Sequence, residues 1–158
     1  MRKAFIGVLA SGLVAGTGLG LAATATAAPA SHAGTTILFV SHPTSDKIFH
    51  LGRSKAFGVG YVELVASNDM QGRTKIGHDD SVQTVTRLSG GTADEVVTVT
   101  FVLAGGQINT MGVVTSTPSG PGTFELAIIG GTGEYAAARG YATVVPANAP
   151  KVTLHVIG

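Results

Sequence analysis

The chain has 158 residues, with ten Lys and Arg against nine Asp and Glu, 23 glycines and neither cysteine nor tryptophan. That length suits one domain with its own core, and the lack of cysteine excludes a disulfide scaffold, a thiolate nucleophile and a zinc–cysteine centre. With no basic cluster, nucleic-acid binding has no electrostatic footprint.

Arg2 and Lys3 precede an apolar run over 4–23, and Ala25, Thr26 and Ala27 follow as small residues. A basic start, an apolar middle and a small-residue end predict a secretory signal peptide over 1–27, cleaved after Ala27. The alternative is an uncleaved membrane anchor, for which the span is long enough. Four glycines from Gly12 to Gly20 weaken such a helix, and no basic stop-transfer cluster follows. Processing predicts a secreted, extracellular or cell-envelope protein with no stable membrane insertion. Its remaining charge is eight basic residues against nine acids. Residues 28–34 read as a flexible linker and 35–158 as a single domain.

The run TTILFVS at 35–41 is β-branched and apolar, and predicts the first strand. Residues 42–46 (HPTSD) read as a turn, and 47–57 is ambiguous: Ile48, Phe49 and Leu51 call for burial, whereas 52–55 (GRSK) suggest an exposed loop, which over a barrel mouth would fit. His42 and His50 there are candidates for ligand contact or proton transfer, set against the plainer reading of solvated loop histidines. Residues 60–67 predict a strand with Tyr61, Glu63 and Val65 on one side, and 68–72 a turn. Strand segments at 74–77 and 81–88 flank His78, Asp79 and Asp80. Neighbours on a strand face opposite ways, so this triplet does not converge on a metal ion; it reads as a turn or bulge with solvated carboxylates. Residues 89–94 form a loop, and 95–103 is the clearest strand, with Val97, Val99, Phe101 and Leu103 on one face. Gly105 and Gly106 make a hairpin turn, 107–117 returns, and the prolines at 118 and 121 mark a loop.

Residues 123–129 alternate as a strand, GGTG at 130–133 makes a corner, 134–139 suits one short helical turn, and 140–145 and 151–157 are two further strands. About eight strands joined by short turns predict an all-β sandwich or barrel, and the meander order supports the second, a small closed antiparallel barrel, lipocalin-like in shape. GGTG lacks both the lysine and hydroxyl of a phosphate loop and the spacing of a dinucleotide site. No cofactor and no metal are expected.

The stretch AIIGGTGEYAAARGYATV at 127–144 resembles the late-chain signature of the allene oxide cyclase and dirigent superfamily: strand, GGTG, acid, aromatic, an ARG corner, strand. Looser agreement runs in order through the chain after residue 35. The resemblance implies an eight-stranded antiparallel barrel with a ligand cavity, often assembled as a homotrimer. It also implies an apolar small-molecule partner, either steered through a cyclisation or isomerisation or, in the alternative, carried unchanged. A third reading is a structural protein that assembles through the outer face of 96–102. The first strand lacks the glutamate and asparagine that plant allene oxide cyclases carry there, which sets epoxide cyclisation proper apart.

By position in the motif, Glu134 and Arg139 are the candidate catalytic residues, joined by Tyr135. The plainer alternative is a corner ion pair between Glu134 and Arg139, with Tyr135 as a packing residue. Tyr61, Glu63, Phe101, Asn109 and Tyr141 are the candidate ligand-binding residues. Arg87, Gln107, Glu125 and His155 are further polar candidates by strand position alone, and a one-residue register error would turn any of them outward.

Overall fold

In a computed structural model, residues 34–53 and 56–157 are described. The expected signal peptide, and all of the linker but Gly34, lie outside them. The strands are β1 (Thr35–His50), β2 (Tyr61–Gln71), β3 (Thr74–Ser89), β4 (Thr92–Leu103), β5 (Gly106–Thr117), β6 (Gly120–Pro121), β7 (Phe124–Gly131), β8 (Arg139–Val145) and β9 (Lys151–Ile157). Each pairs antiparallel with its neighbours, and the two-residue β6 is only an appendage on the end of β5. The other eight close into a ring, because β1 bonds β9 through Thr35–Val40 and β2 through Val40–His50. The expected closed barrel is therefore the fold.

Alternation decides what the ring encloses. Val97, Val99 and Phe101 of β4 are buried, as are Leu126 and Ile128 of β7, Ala142 and Val144 of β8, and Val152, Leu154 and Val156 of β9. Each such aliphatic or aromatic side chain contributes about 2 kcal/mol through burial. Phe39 and Phe101 meet edge to face at 5.6 Å. With Ile108, Ala138 and Leu154, and with Ile37, Ile76, Leu103 and Tyr135 packed beside them, they fill one end of the barrel solidly.

Three expectations are corrected. Residues 42–50 continue β1 rather than forming a turn and loop, with an irregularity between Pro43 and Ser45. A bulge tolerates a proline that has no N–H to give the ladder. Asn68, Asp69 and Met70 extend β2, so the turn falls at Gly72. His78, Asp79 and Asp80 lie within one continuous β3, not in a turn: His78 and Asp80 are exposed, but Asp79 is only 5% exposed.

The GGTG corner has a packing role at the filled end. A 3-10 turn at Gly133–Tyr135 follows it, as the short helical turn predicted. The Glu134 N–H donates to the Gly105 carbonyl at 2.8 Å, and the Thr132 N–H donates to the Gln107 carbonyl at 2.9 Å. The Gln107 N–H returns a bond to Thr132 Oγ1 at 3.1 Å. This clasp joins two hairpin ends so closely that a Cβ on Gly133 (φ 60°) would run into the Gly105 carbonyl oxygen. Gly72 has a similar φ of 61° but open space around it. Gly72→Ala should therefore cost about 1 kcal/mol of unfolding free energy, the strain of a left-handed alanine, and Gly133→Ala roughly 3 kcal/mol. Urea denaturation measures both, and equal losses would refute the clasp.

Candidate functional site in the barrel lumen

Opposite the filled end, the ring encloses a cavity of about 280 Å³. Its wall is apolar along Val65, Val97, Val99, Phe101, Phe124, Leu126, Val144 and Val152, with Pro43, Ala147 and Pro150 also contributing. Its polar lining comes from β1, β2 and β3: Ser41, Glu63, Ser67, Asp79, Ser81 and Gln83. A shaped apolar hollow with a few convergent polar groups is the usual form of a small-molecule site. A larger recess of about 510 Å³ lies among Phe57, Leu88–Ala93 and Ser116–Pro118, but no titratable side chain lines it. A recess of about 300 Å³ around Arg87 and Asp94 lies outside the ring, where the two are already paired with each other, so the lumen is the candidate site.

Two groups of acids reach that lumen. Deeper in the barrel, Ser41 Oγ donates to Asp79 Oδ2 at 2.6 Å. Ser41 stands directly across from Asp69, and Ser67 directly across from Asp79. Asp69 is fully buried, and neither of its oxygens has a donor while both acids are ionised. A bond between Asp69 and Asp79 forms only when one of them carries a proton. Burial first, then that bond and the charge of Asp79, push the Asp69 carboxyl up to about 8, against a smaller opposing pull from Lys75. Two carboxyls sharing one proton can serve as an acid or a base at neutral pH.

Nearer the open end, Glu63 is raised above the usual carboxylate range by burial, by the charges of Asp46 and Glu95, and by a hydrogen bond with Asp46. Tyr61 is raised by burial and then by Glu63, Asp46 and Glu95. Its ring lies edge-on to His50 at 5.4 Å and tilted against Phe57 at 5.1 Å.

The sequence-derived candidates separate by location. Glu63 and Phe101 line the cavity, and Tyr61 stands beside Glu63. Asn109 is on the outer surface, where its Oδ1 accepts from Thr100 Oγ1 at 2.9 Å. Tyr141 is also outside, stacked on His155 at 4.3 Å. Arg87 pairs outside with Asp94, and Glu125 and Gln107 are exposed. Glu134, Tyr135 and Arg139 sit together at the filled end, and none of them lines the cavity. Glu134 and Arg139 do not form the corner ion pair offered as an alternative. Arg139 Nη1 instead donates to the Ala138 carbonyl at 3.5 Å, and Tyr135 packs against the core.

Sequence reasoning missed Ser41, Asp46, Ser67, Asp69 and Asp79. The available signal was period-two phase: Ser67 and Asp69 are in step with Tyr61, Glu63 and Val65, and Asp79 with Ser81 and Gln83. Reading 68–72 and 78–80 as turns broke that phase.

This geometry defines a closed β-barrel with an acid-lined cavity, and solved structures share the barrel fold. No sequence-family profile and no curated protein matches the chain. Its fold matches a pyocyanin demethylase at a TM-score of 0.67 and 21% identity, covering 77% of this chain and 99% of that one. It matches the Diels–Alderase AbmU from Streptomyces koyangensis at 0.63 and 18%, covering 81% and 72%. It matches the pterocarpan synthase dirigent protein PsPTS1 at 0.63 and 18%, covering 79% and 95%. The chain shares its barrel fold with a dirigent protein and a Diels–Alderase, the fold that the resemblance at the GGTG stretch implied.

The carboxyl pair predicts a pH dependence of stability. An aspartate whose carboxyl sits at about 8 when folded and about 3.9 when unfolded is held protonated by the fold. Its contribution is greatest in acid and declines as pH rises from about 4 to about 8, by at most about 1.4 kcal/mol per pH unit. Asp69→Asn keeps the shape without the charge and should remove that decline, so its Tm should exceed that of the parent chain at pH 8 to 9. Thermal unfolding across pH 4–9 checks this; parallel curves for the two proteins would refute it.

Proposed function

We propose that this protein is a secreted barrel that binds an apolar small molecule and steers its cyclisation or isomerisation. The observation that carries the reading is the lumen: an apolar hollow lined by the carboxyls of Glu63, raised by burial and by Asp46 and Glu95, and of Asp79, which accepts from Ser41. Confinement in such a hollow supplies orientation, which alone can remove much of the barrier to ring closure. A carboxyl that exchanges a proton with the guest adds acid–base assistance. Solved proteins of the same fold include a Diels–Alderase and a pterocarpan synthase dirigent protein, which supports chemistry of this kind. In this reading Glu63 and Asp79 touch the guest, and Ser41 positions Asp79.

A non-catalytic carrier is the second reading. It is favoured by the uncharged surface that β7, β8 and β9 present to the cavity through Phe124, Leu126, Val144 and Val152. Metabolite extraction from the purified protein separates the two. A recovered substrate–product pair supports turnover, and a single unaltered compound supports carriage.

With a substrate in hand, Glu63→Gln and Asp79→Asn should each lower kcat by about 100-fold, the lower range for a lost acid or base. Glu134→Gln and Arg139→Lys should leave it within about threefold. The reverse pattern would return catalysis to the GGTG corner and overturn the lumen assignment.

The homotrimer is also a proposal. On the outside of the ring, Val82 is 44%, Met111 43% and Val113 64% exposed, and they lie on the neighbouring strands β3 and β5 on either side of β4. An apolar outer face of this kind suits contact between copies. Light scattering of the processed chain should give three times the protomer mass; a persistent monomer would refute it.

A further inference from the structure

The charges facing the lumen are of one sign. Glu63 of β2 and Asp79 of β3 line it, and the groups that act on them are acids too: Asp46, Tyr61 and Glu95 around Glu63, and Asp69 beside Asp79. The inward side chains of β5, β7, β8 and β9, among them Ile108, Thr110, Leu126, Ala142 and Leu154, carry no titratable group. Among the described residues, no lysine, arginine or histidine lines the cavity. His50 stands at the rim against Tyr61, and Lys75 acts on Asp69 from an exposed position on β3. A cleft with apolar walls and charges of one sign focuses its field on whatever enters.

A second observation concerns the acid that lies beside that lining. Asp69 is wholly buried, lies on the inward face of β2 in phase with Glu63, Val65 and Ser67, and has no donor for either oxygen. An unpartnered buried carboxyl is costly, and the fold offers it only another acid. Positive charge brought into the cavity would favour the ionised form of Glu63 at its wall and of Asp69 beside it, the two carboxyls that the fold pushes toward the neutral form. Aromatic faces suited to a delocalised cation are present too: Phe101 and Phe124 in the wall, and Tyr61 and Phe57 together near the open end.

We propose that the lumen selects apolar organic cations with delocalised charge and rejects anions of the same size. The inference rests on the small-molecule reading of the cavity and adds the chemical class of the guest. Carboxylate- or phosphate-bearing molecules would meet Glu63 and Asp79 with no compensating base. A cation releases protons as it binds, so its affinity rises with pH while that of a neutral analogue does not.

Three bicyclic probes of matched shape test this on the intact protein by calorimetry at pH 8: N-methylquinolinium, 1-methylnaphthalene and 1-naphthoate. The expected order places the cation at least about tenfold tighter than either of the others, with the advantage shrinking at pH 5. Glu63→Gln and Asp79→Asn should each reduce the cation-to-neutral ratio by at least about threefold. If Asp79→Asn does not fold, Glu63→Gln carries the same test. Tighter or equal binding of the neutral or anionic probe overturns the charge selectivity and leaves the cavity reading standing. Binding of none of the three overturns both. A cation preference that survives in the variants overturns its assignment to these carboxyls.

Discussion

Closure of the hydrogen-bonded ring is the constraint on which everything else depends. β1 serves two partners, β9 along its first six residues and β2 along the rest. Once it does so, the wall has no free edge among its eight strands, and no strand can slip by one residue without turning its whole apolar set outward. Side chains in the inward phase are committed to the lumen whatever their chemistry. Most are Val, Leu, Ile or Phe, and they pack. Asp69 and Asp79 are in that phase too, and the only accommodation the fold allows them is a shared proton and the hydroxyl of Ser41.

The two ends of the barrel divide the work. At one end Phe39, Phe101, Ile108 and Leu154 leave no room, and the clasp between Gly105 and the GGTG corner seals the hairpins together. At the other the ring encloses a hollow, with Glu63 at the wall and Asp46, Tyr61 and His50 nearby. The late-chain motif is thus the scaffold's fastening, while the lumen acids come from strands earlier in the chain. Solved proteins of this fold differ in what their names say they do. That is expected when a common wall supports different lumen chemistries.

The lumen acids also explain why an apolar cavity tolerates charge. Burial pushes Glu63 and Asp69 toward their neutral forms, and neighbouring acids reinforce the shift. Asp69, pushed up to about 8, can give or take a proton near neutrality without a histidine. The ionisation of both carboxyls is coupled to whatever occupies the cavity beside them.

Much of the fold was legible in residue order alone. The alternation of Val97, Val99 and Phe101, the Gly105–Gly106 hairpin and the GGTG corner with its short helical turn are local features, and local sterics and burial are enough to predict them. The count of about eight strands and their closure followed from the same pattern. The site was only partly legible. Glu63 and Phe101 were found by phase, but Asn109 and Tyr141 were taken as inward and face outward. Asp69 and Asp79 looked like turn residues because short polar runs resemble loops. Chain order by itself determined that strands form, where most turns fall and that the core is apolar, since these depend on neighbours a few residues away. Which acids share a proton, which end is filled and where the cavity lies depended on strand register around a closed ring. That places Ser41 beside residues 28 and 38 positions further along the chain, and no local pattern encodes such a meeting.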